Sequence, residues 1–408
     1  MAGATRSTIS AALKEDYQGP IRKQFNEKKL IMKLLRRNRK DFGGDGAYIP
    51  LMTQRSHSHG ARAESGTLPA AGNVSMKETT IQAKFNYAKI MVTGPSRAVA
   101  RKDKYAFART LKLEIMSAVE SFSDDFCRQL YGDGSGVVAT CGTTSSSNTV
   151  VVGDTRNLRE GQQIDIRVIN GGADVVTNRT VDAILSDTTF TISGATVSTT
   201  ATSHGVFIKD NATTAGAVHE IMGIQGIIND QNPDDIKTSS APASLQGLDV
   251  ATYPFWKASR LHNSGVNRDL SLELLHDLLI DVDKKSGTGD GLSAMITTHE
   301  IWKRYGLLVT PDRRYTGSPN IFDGGWKYLE FDGLKIFFDK MCPANTIFLP
   351  NFDHLTLYEE SDIRWSEEDG SLLKFEGSTD AYIAFLVYYS NLGTDYRRAH
   401  GVLEDISH

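Results

Sequence analysis

Several short groupings in this 408-residue chain put ligating or reactive side chains close together, and each fails on spacing. His57-Ser58-His59 offers two imidazoles to a metal, but no nearby Cys, Asp or third His completes a tetrahedral set. Asp281, Asp283 and Asp290 look like pieces of a calcium loop, yet the intervals and the missing terminal Glu defeat that reading. The run GDGSG (132–136) ends a helical pattern instead of opening one, so it lacks the amide cradle that holds a phosphate at a helix N-terminus. His299-Glu300 follows a strand pattern without a visible base partner, which favours capping or packing. The signatures GxSxG, GxxxxGK[ST], HExxH and GxGxxG are absent. Trp256, Trp302, Trp326 and Trp365 are dispersed as core or interface anchors, not as a base-stacking platform. Cys127, Cys141 and Cys342 are odd in number and far apart, so neither a disulfide framework nor a zinc site is expected. No enzyme and no cofactor is expected.

The remaining chemical signal is charge. Residues 1–44 carry eleven Lys or Arg against four Asp or Glu, and residues 345–380 carry nine acidic residues against Arg364 and Lys374. Such an asymmetry suits a basic arm that meets acidic surface on another copy, or a polyanion, or simply solvent. The run Arg36, Arg37, Arg39 and Lys40 could touch DNA phosphates without reading sequence.

The elements that carry these residues come in an unusual order. Ile21, Phe25, Leu30, Ile31, Leu34 and Leu35 recur at near-helical spacing through a basic arm, roughly residues 17–40, too small to support itself. Gly43, Gly44 and Gly46 end it. A strand at 47–54, with Pro50 arguing for an edge, a polar tip, and an alternating strand from Thr79 through Ile81, Phe85 and Tyr87 make a long hairpin. An isolated hairpin is marginal in water, so this one is expected to lie on a neighbour. Phe107, Leu111, Ile115, Ala118, Val119, Phe122, Phe126 and Leu130 then stripe one helix from about 99 to 131, roughly 45 Å long. Residues 143–212 turn to Thr, Ser, Val and Gly, with strands at 149–153, 162–169, 179–185, 188–193 and 204–209, the pattern of an inserted barrel or sandwich. Helices at 271–285 and after Thr297-Thr298 alternate with strands at 328–339, 345–351, 355–360 and 381–396 in an α+β body. At this length, with 40% hydrophobic and 23% charged residues, two or three domains with a large core are expected. No run approaches the ~20 apolar residues of a membrane span, and no secretory signal is read at the start.

In their order and lengths, the arm, the hairpin, KYAFARTLKLEIMSAVESFSDDFCRQLYGDG (104–134), SAMITTHEIWKRYGLL (293–308), FDGLKIFFDKMCPANTIFLPNFDHLTLYEE (331–360) and FEGSTDAYIAFLVYYSNLGTDYRRAHGVLEDI (375–406) resemble tailed-phage major capsid proteins of the Hong Kong 97 fold. The resemblance implies an N-terminal arm (1–44), an extended hairpin loop (45–98), a spine helix opening the peripheral domain (99–142), an inserted all-β domain (143–212), an axial α+β domain (213–369) and a return to the peripheral domain (370–408). It further implies hexamers and pentamers closing into an icosahedral head around double-stranded DNA, a portal, and a virion location after synthesis in the host cytoplasm. Scaffolding and decoration proteins are partners it allows. Because only some 44 residues precede the hairpin, a separate scaffold or none is expected. Lys77 and Lys84 lie in the hairpin, but no matching Asn and Glu can be assigned, so no isopeptide crosslink is expected.

Within that frame Gly43, Gly44, Gly46, Gly94 and Pro95 are hinge candidates. Ile21, Phe25, Leu30, Leu34, Arg55, Ile81, Phe85 and Tyr87 are candidates for contact between subunits. Two alternatives are an encapsulin-type nanocompartment shell, which shares the fold, and an enzyme with an inserted β domain.

Overall fold

The computed structural model describes residues 29–43, 46–94, 104–169, 174–211, 219–228, 244–286, 294–309, 327–367, 374–377 and 379–407. The fourteen-residue strand Ala381–Thr394 organises the first of its sheets. Lys84–Thr93 pairs antiparallel along one side of it, from Lys84 opposite Ser390 to Thr93 opposite Ala381. Its other side takes Leu355–Glu359, Arg364–Trp365 and Lys374–Phe375 in turn. Arg36–Asn38 adds a parallel edge strand to Leu355–Glu359.

The long helix Lys104–Tyr131 lies across one face of this sheet. Ile115, Val119, Phe122, Phe126 and Leu130 are buried there with Ile90, Ala384, Leu386 and Tyr388, and the rings of Phe126 and Tyr388 meet edge to face at 5.0 Å. The helix stops where Gly132 donates its N–H to Gln129 O. Phe107 and Leu111 fall where only the helix backbone is described.

A second six-stranded sheet runs Ser259–Leu261, Gly401–Leu403, Ile347–Leu349, Ala294–Thr297, Leu334–Phe338, Leu329–Phe331. It is buried on both faces, as the period-two alternation of strand side chains allows. Ile296, Phe337, Phe348 and Val402 join the core under the long helix, whereas Met295, Ile336, Ile347 and Leu403 meet helices Leu272–Ser286 and His299–Val309. Ser271 caps the first of these helices through Leu274 N–H.

The inserted domain keeps its own core of Val138, Val150, Ile164, Ile166, Val181, Phe190, Ile192 and Val206. Its main sheet runs Val137–Thr140, His204–Ile208, Gln163–Val168, Asp174–Ser186, Thr189–Ile192, Thr149–Val151. It therefore begins at Val137, inside the stretch assigned from sequence to the helix and the peripheral domain. The two strands that leave and re-enter the body pair with each other, so the insert closes on itself.

Other boundaries also move. The arm is helical only over Leu30–Leu34 in its described part and becomes a strand at Arg36, because the open edge of Leu355–Glu359 supplies ladder partners that a short helix cannot match. The second hairpin strand is two strands that break at Ala83: Ser75–Gln82 pairs with Gly46–Gln54, while Lys84–Thr93 leaves for the other sheet. Leu355–Glu359 and Arg364–Trp365 belong to the sheet of Ala381–Thr394, although they fall within 213–369. Conversely, Gly401–Leu403 does not stay with that sheet but crosses into the second one. Arg397 anchors the crossing: it is fully buried and donates Nε to Ile227 O at 2.6 Å and Nη1 to Trp256 O at 3.2 Å.

Candidate assembly surfaces and ionic junctions

The strand Lys84–Thr93 has two unlike faces. Ala88, Ile90 and Val92 turn toward the long helix, while Phe85, Tyr87 and Met91 point away and are about half exposed, at 54%, 57% and 49%. Their register partners Tyr389, Val387 and Ile383 share that outer face, and the Tyr389 ring lies 5.1 Å from Phe85 and 5.9 Å from Tyr87. Phe85, Tyr87 and Tyr389 thus form an exposed aromatic patch on the sheet, separated from Met91 by Lys89, which pairs with Glu376 at 2.8 Å.

The hairpin adds a second uncovered surface. Its base is fixed by a small cluster of Ala47, Ile81 and Tyr358, by Thr80 N–H on Gln246 O, and by buried Asn391, whose Nδ2 donates to Gln82 O at 2.7 Å. Farther out Tyr48, Met52, Leu68, Val74 and Met76 are exposed, from 48% to 80%. Pro50 costs the ladder nothing, because Gly46–Gln54 is paired beyond Ala47 only on the Ser75–Gln82 side.

Of the contact candidates, Arg55, Phe85 and Tyr87 are exposed. Leu30 and Ile81 are not available to a neighbour: they are 3% and 2% exposed, sealed by the helix Leu30–Leu34 docking on the long helix and by the hairpin base. Leu34 packs half-buried against the same core. Ile21 and Phe25 lie outside the described residues, as do Gly44 and Pro95 among the hinge candidates. Gly43 has open space where a Cβ would sit. Gly46 and Gly94 are held in place by close approach: a Cβ would stand 2.0 Å from Ile81 O in the first case and 1.9 Å from Asp380 Oδ2 in the second.

Part of the basic run meets acidic side chains of its own chain, while Arg36 and Lys40 stay exposed. Parallel pairing of Arg36–Asn38 with Leu355–Glu359 brings it onto the acidic stretch of its own chain. Arg37 reaches Asp362 at 3.4 Å and Arg36 approaches Asp353 at 3.6 Å. Arg39 bridges Glu359 and Asp362, each at 2.8 Å. Lys40 is exposed, with its backbone N–H on Asn38 Oδ1. Glu359 is fully buried and also accepts the Tyr388 hydroxyl, and burial pushes that phenol well above its ordinary pKa. Among the described residues, Arg36, Arg37 and Arg39 of the basic block thus pair with the acidic stretch of the same chain.

Two more junctions involve the long helix. Asp124 accepts Lys29 Nζ on Oδ1 and Arg159 Nη2 on Oδ2, joining arm, helix and insert. Desolvation alone would raise its carboxyl, but the hydrogen bonds and charges of Lys29 and Arg159 prevail and hold it below the ordinary value. One turn on, buried Arg128 lies between Asp125 at 2.9 Å and Glu220 at 2.5 Å, and Asn211 Nδ2 completes Glu220. No local pattern announces these junctions, because Lys29 lies 95 positions and Arg159 35 positions from Asp124, and Glu220 lies 92 positions from Arg128.

A cavity of about 310 Å³ separates the end of the helix from the insert, lined among others by Arg128, Tyr131, Arg156 and Cys342. Two of its polar side chains are engaged: Tyr131 OH donates to Asp339, and Arg156 to Asp154 and Cys342 O. A cleft of about 570 Å³ beside Phe85 and Tyr87 is bounded by Phe122, Asp125, Gln129 and His219. His299, next to Glu300, packs its ring edge-on against Phe338 at 4.8 Å. Among the described residues no three His, Cys, Asp or Glu gather as a metal site, and no helix is long and apolar enough to cross a membrane.

The architecture is a mixed α+β fold of the general Hong Kong 97 capsid type. In particular, the chain is similar to that of the Cyanophage A-1(L) capsid asymmetric unit, with a TM-score of 0.53 and 12% identity over 94% of each chain. Weaker likenesses reach the capsid of the native GTA particle (TM-score 0.49, 9% identity, 92% of this chain and 90% of that one) and the holo-SrpI encapsulin complex from Synechococcus elongatus PCC 7942 (0.41, 9%, 94% and 89%). No protein-family model matches the sequence, and no curated protein does.

Proposed function

We propose that this protein is the major capsid subunit of a tailed double-stranded DNA phage, assembling as hexamers and pentamers into an icosahedral head. The observation that carries the reading is the pair of exposed apolar surfaces, the patch of Phe85, Tyr87 and Tyr389 and the hairpin flank of Tyr48, Met52 and Met76. Contiguous apolar surface on this scale marks an interaction site, and a hairpin is too thin to stabilise itself. Contacts between copies would cover both, and closure into a shell multiplies modest contacts into a stable whole. The likeness to the cyanophage capsid chain supports the same reading.

In this arrangement the second sheet and its helices surround the capsomer axis, the sheet of Ala381–Thr394 lies at the periphery, and the inserted domain projects from the shell. A portal and double-stranded DNA are the partners implied, and scaffolding and decoration proteins are further partners that the reading allows. Gly43, which stands in open space, is the hinge at the base of the hairpin as the head matures. The reading gives the chain no catalytic role.

Negative-stain electron microscopy of the purified protein, alone and co-expressed with its neighbouring genes, tests it. Closed shells or rings of five and six are expected. Shells filled with a protein cargo in place of DNA would move the assignment to a nanocompartment, and a uniform monomer or dimer under both conditions would overturn it.

A further inference from the structure

Three physically separate segments converge on one carboxylate of the long helix. Asp124 Oδ1 takes the ammonium of Lys29, and Asp124 Oδ2 takes the guanidinium of Arg159, whose Nη1 also donates to Ser121 Oγ at 3.3 Å. The Asp124 side chain is only 17% exposed, against 27% for Lys29 and 48% for Arg159. The inserted domain has its own core and returns to the body beside the point where it leaves. Its exit passes through Gly134 and Gly136, both at φ +76°, a backbone region that other residues rarely adopt. Such a body can tilt as a unit, and the ties to the long helix and to Cys342 O, made by Arg159 and Arg156, oppose that tilt.

We propose that Asp124 is a shared latch that couples docking of the arm to the orientation of the inserted domain. With Lys29 in place, the carboxylate is fixed in one rotamer, shielded from water, and aimed at Arg159. When Lys29 withdraws, the carboxylate turns and hydrates, and its bond to Arg159 becomes an ordinary exposed ion pair of little strength. The insert then tilts about the contacts that remain, Arg156 on Cys342 O and Asn211 on Glu220. Linkage makes the effect reciprocal, so loss of Arg159 loosens the arm. The inference concerns contacts within one chain and stands independently of the capsid reading.

The test uses full-length protein carrying nitroxides at E120C and D187C, both exposed, diluted into unlabelled protein; the three native cysteines are buried. Pulsed electron resonance reads the distance between helix and insert, and hydrogen exchange reads the amides of Lys33 and Leu35, which bond to Lys29 O and Ile31 O. K29Q is expected to broaden the distance distribution as R159Q does, the double variant to broaden it no further, and K29R to restore it. R159Q should speed exchange at Lys33 and Leu35 by about twofold or more, the lower end of coupling between residues of one network. A K29Q distribution identical to wild type, or arm amides indifferent to R159Q in a folded protein, would overturn the proposal.

Discussion

Arg39 holds Glu359 with two donors, Nε at 2.9 Å and Nη2 at 2.8 Å, across a separation of 320 residues. Glu359 is fully buried, so Arg39 and the Tyr388 hydroxyl together offset its desolvation. Removing the cation should leave a buried charge short of partners. Arg39→Ala is therefore expected to cost about 1–2 kcal/mol, discounted for the half-exposed guanidinium, and Glu359→Ala about 3 kcal/mol. Urea unfolding of the two variants and of the double variant checks this, and strict additivity would show that the pair does not interact.

His400 is fully buried, accepts Asn351 N–H on Nδ1, and faces Thr394 Oγ1 through Nε2, an arrangement that requires the neutral ring. Burial, with help from His354 and Arg397, lowers its pKa from 6.5 to about 3. The unfolded chain thus binds the extra proton first, and stability falls as pH drops from about 6.5 toward 3. The slope is at most about 1.4 kcal/mol per pH unit. Melting temperature against pH should show this loss in the wild type and a flatter curve in His400→Gln.

Asp124 gives a second, more acidic dependence. Its folded pKa lies below the ordinary 3.8, so its contribution is complete above that value and disappears as pH falls through the lowered one. Asp124→Asn should be less stable than wild type at neutral pH, and the gap should narrow below about pH 4. A constant gap across the range would show that the two cations do not favour the ionised form.

Phe85 and Tyr87 are exposed, so Glu at either position should leave the unfolding midpoint within about 0.5 kcal/mol of wild type. On the proposed function the same substitutions, and Met76→Glu on the hairpin, should prevent assembly by placing charge in a covered apolar contact. Sedimentation velocity beside thermal unfolding separates the two effects; normal particles from all three variants would remove these residues from the subunit contact.

Gly46→Ala sets a new methyl against the backbone oxygen of Ile81, which cannot move aside as a flexible side chain would. A loss of about 2 kcal/mol or more, read by thermal unfolding, is expected. Gly43→Ala, where the space is open, should be close to neutral.

Elements with a strong local period were legible in the sequence. The stripe from Ile115 to Leu130 gave the long helix, and alternation through Phe85 and Tyr87 gave an extended strand with one apolar face outward. What escaped was every choice made by distant partners. Nothing around Ala83 announces that the chain changes sheets there, because both halves alternate in the same way. Arg36–Asn38 reads as a continuing amphipathic helix until Leu355–Glu359 is present to pair with it. The last turn toward Gly401–Leu403 was hidden for a related reason: three residues are too few to show which of two sheets they join. Charge composition alone does not say which carboxylates a cation meets: Arg37 and Arg39 meet Asp362 of their own chain.

The place of Ala381–Thr394 at the centre of its sheet has a consequence for synthesis. Strand Lys84–Thr93 is made nearly three hundred residues before the strand that joins it to Leu355–Glu359. Until residue 394 is clear, the earlier strand has no template, and the aromatic patch has no backing sheet on which to be displayed. A polypeptide ending before Ala381 therefore lacks the strand against which Phe85 and Tyr87 are held.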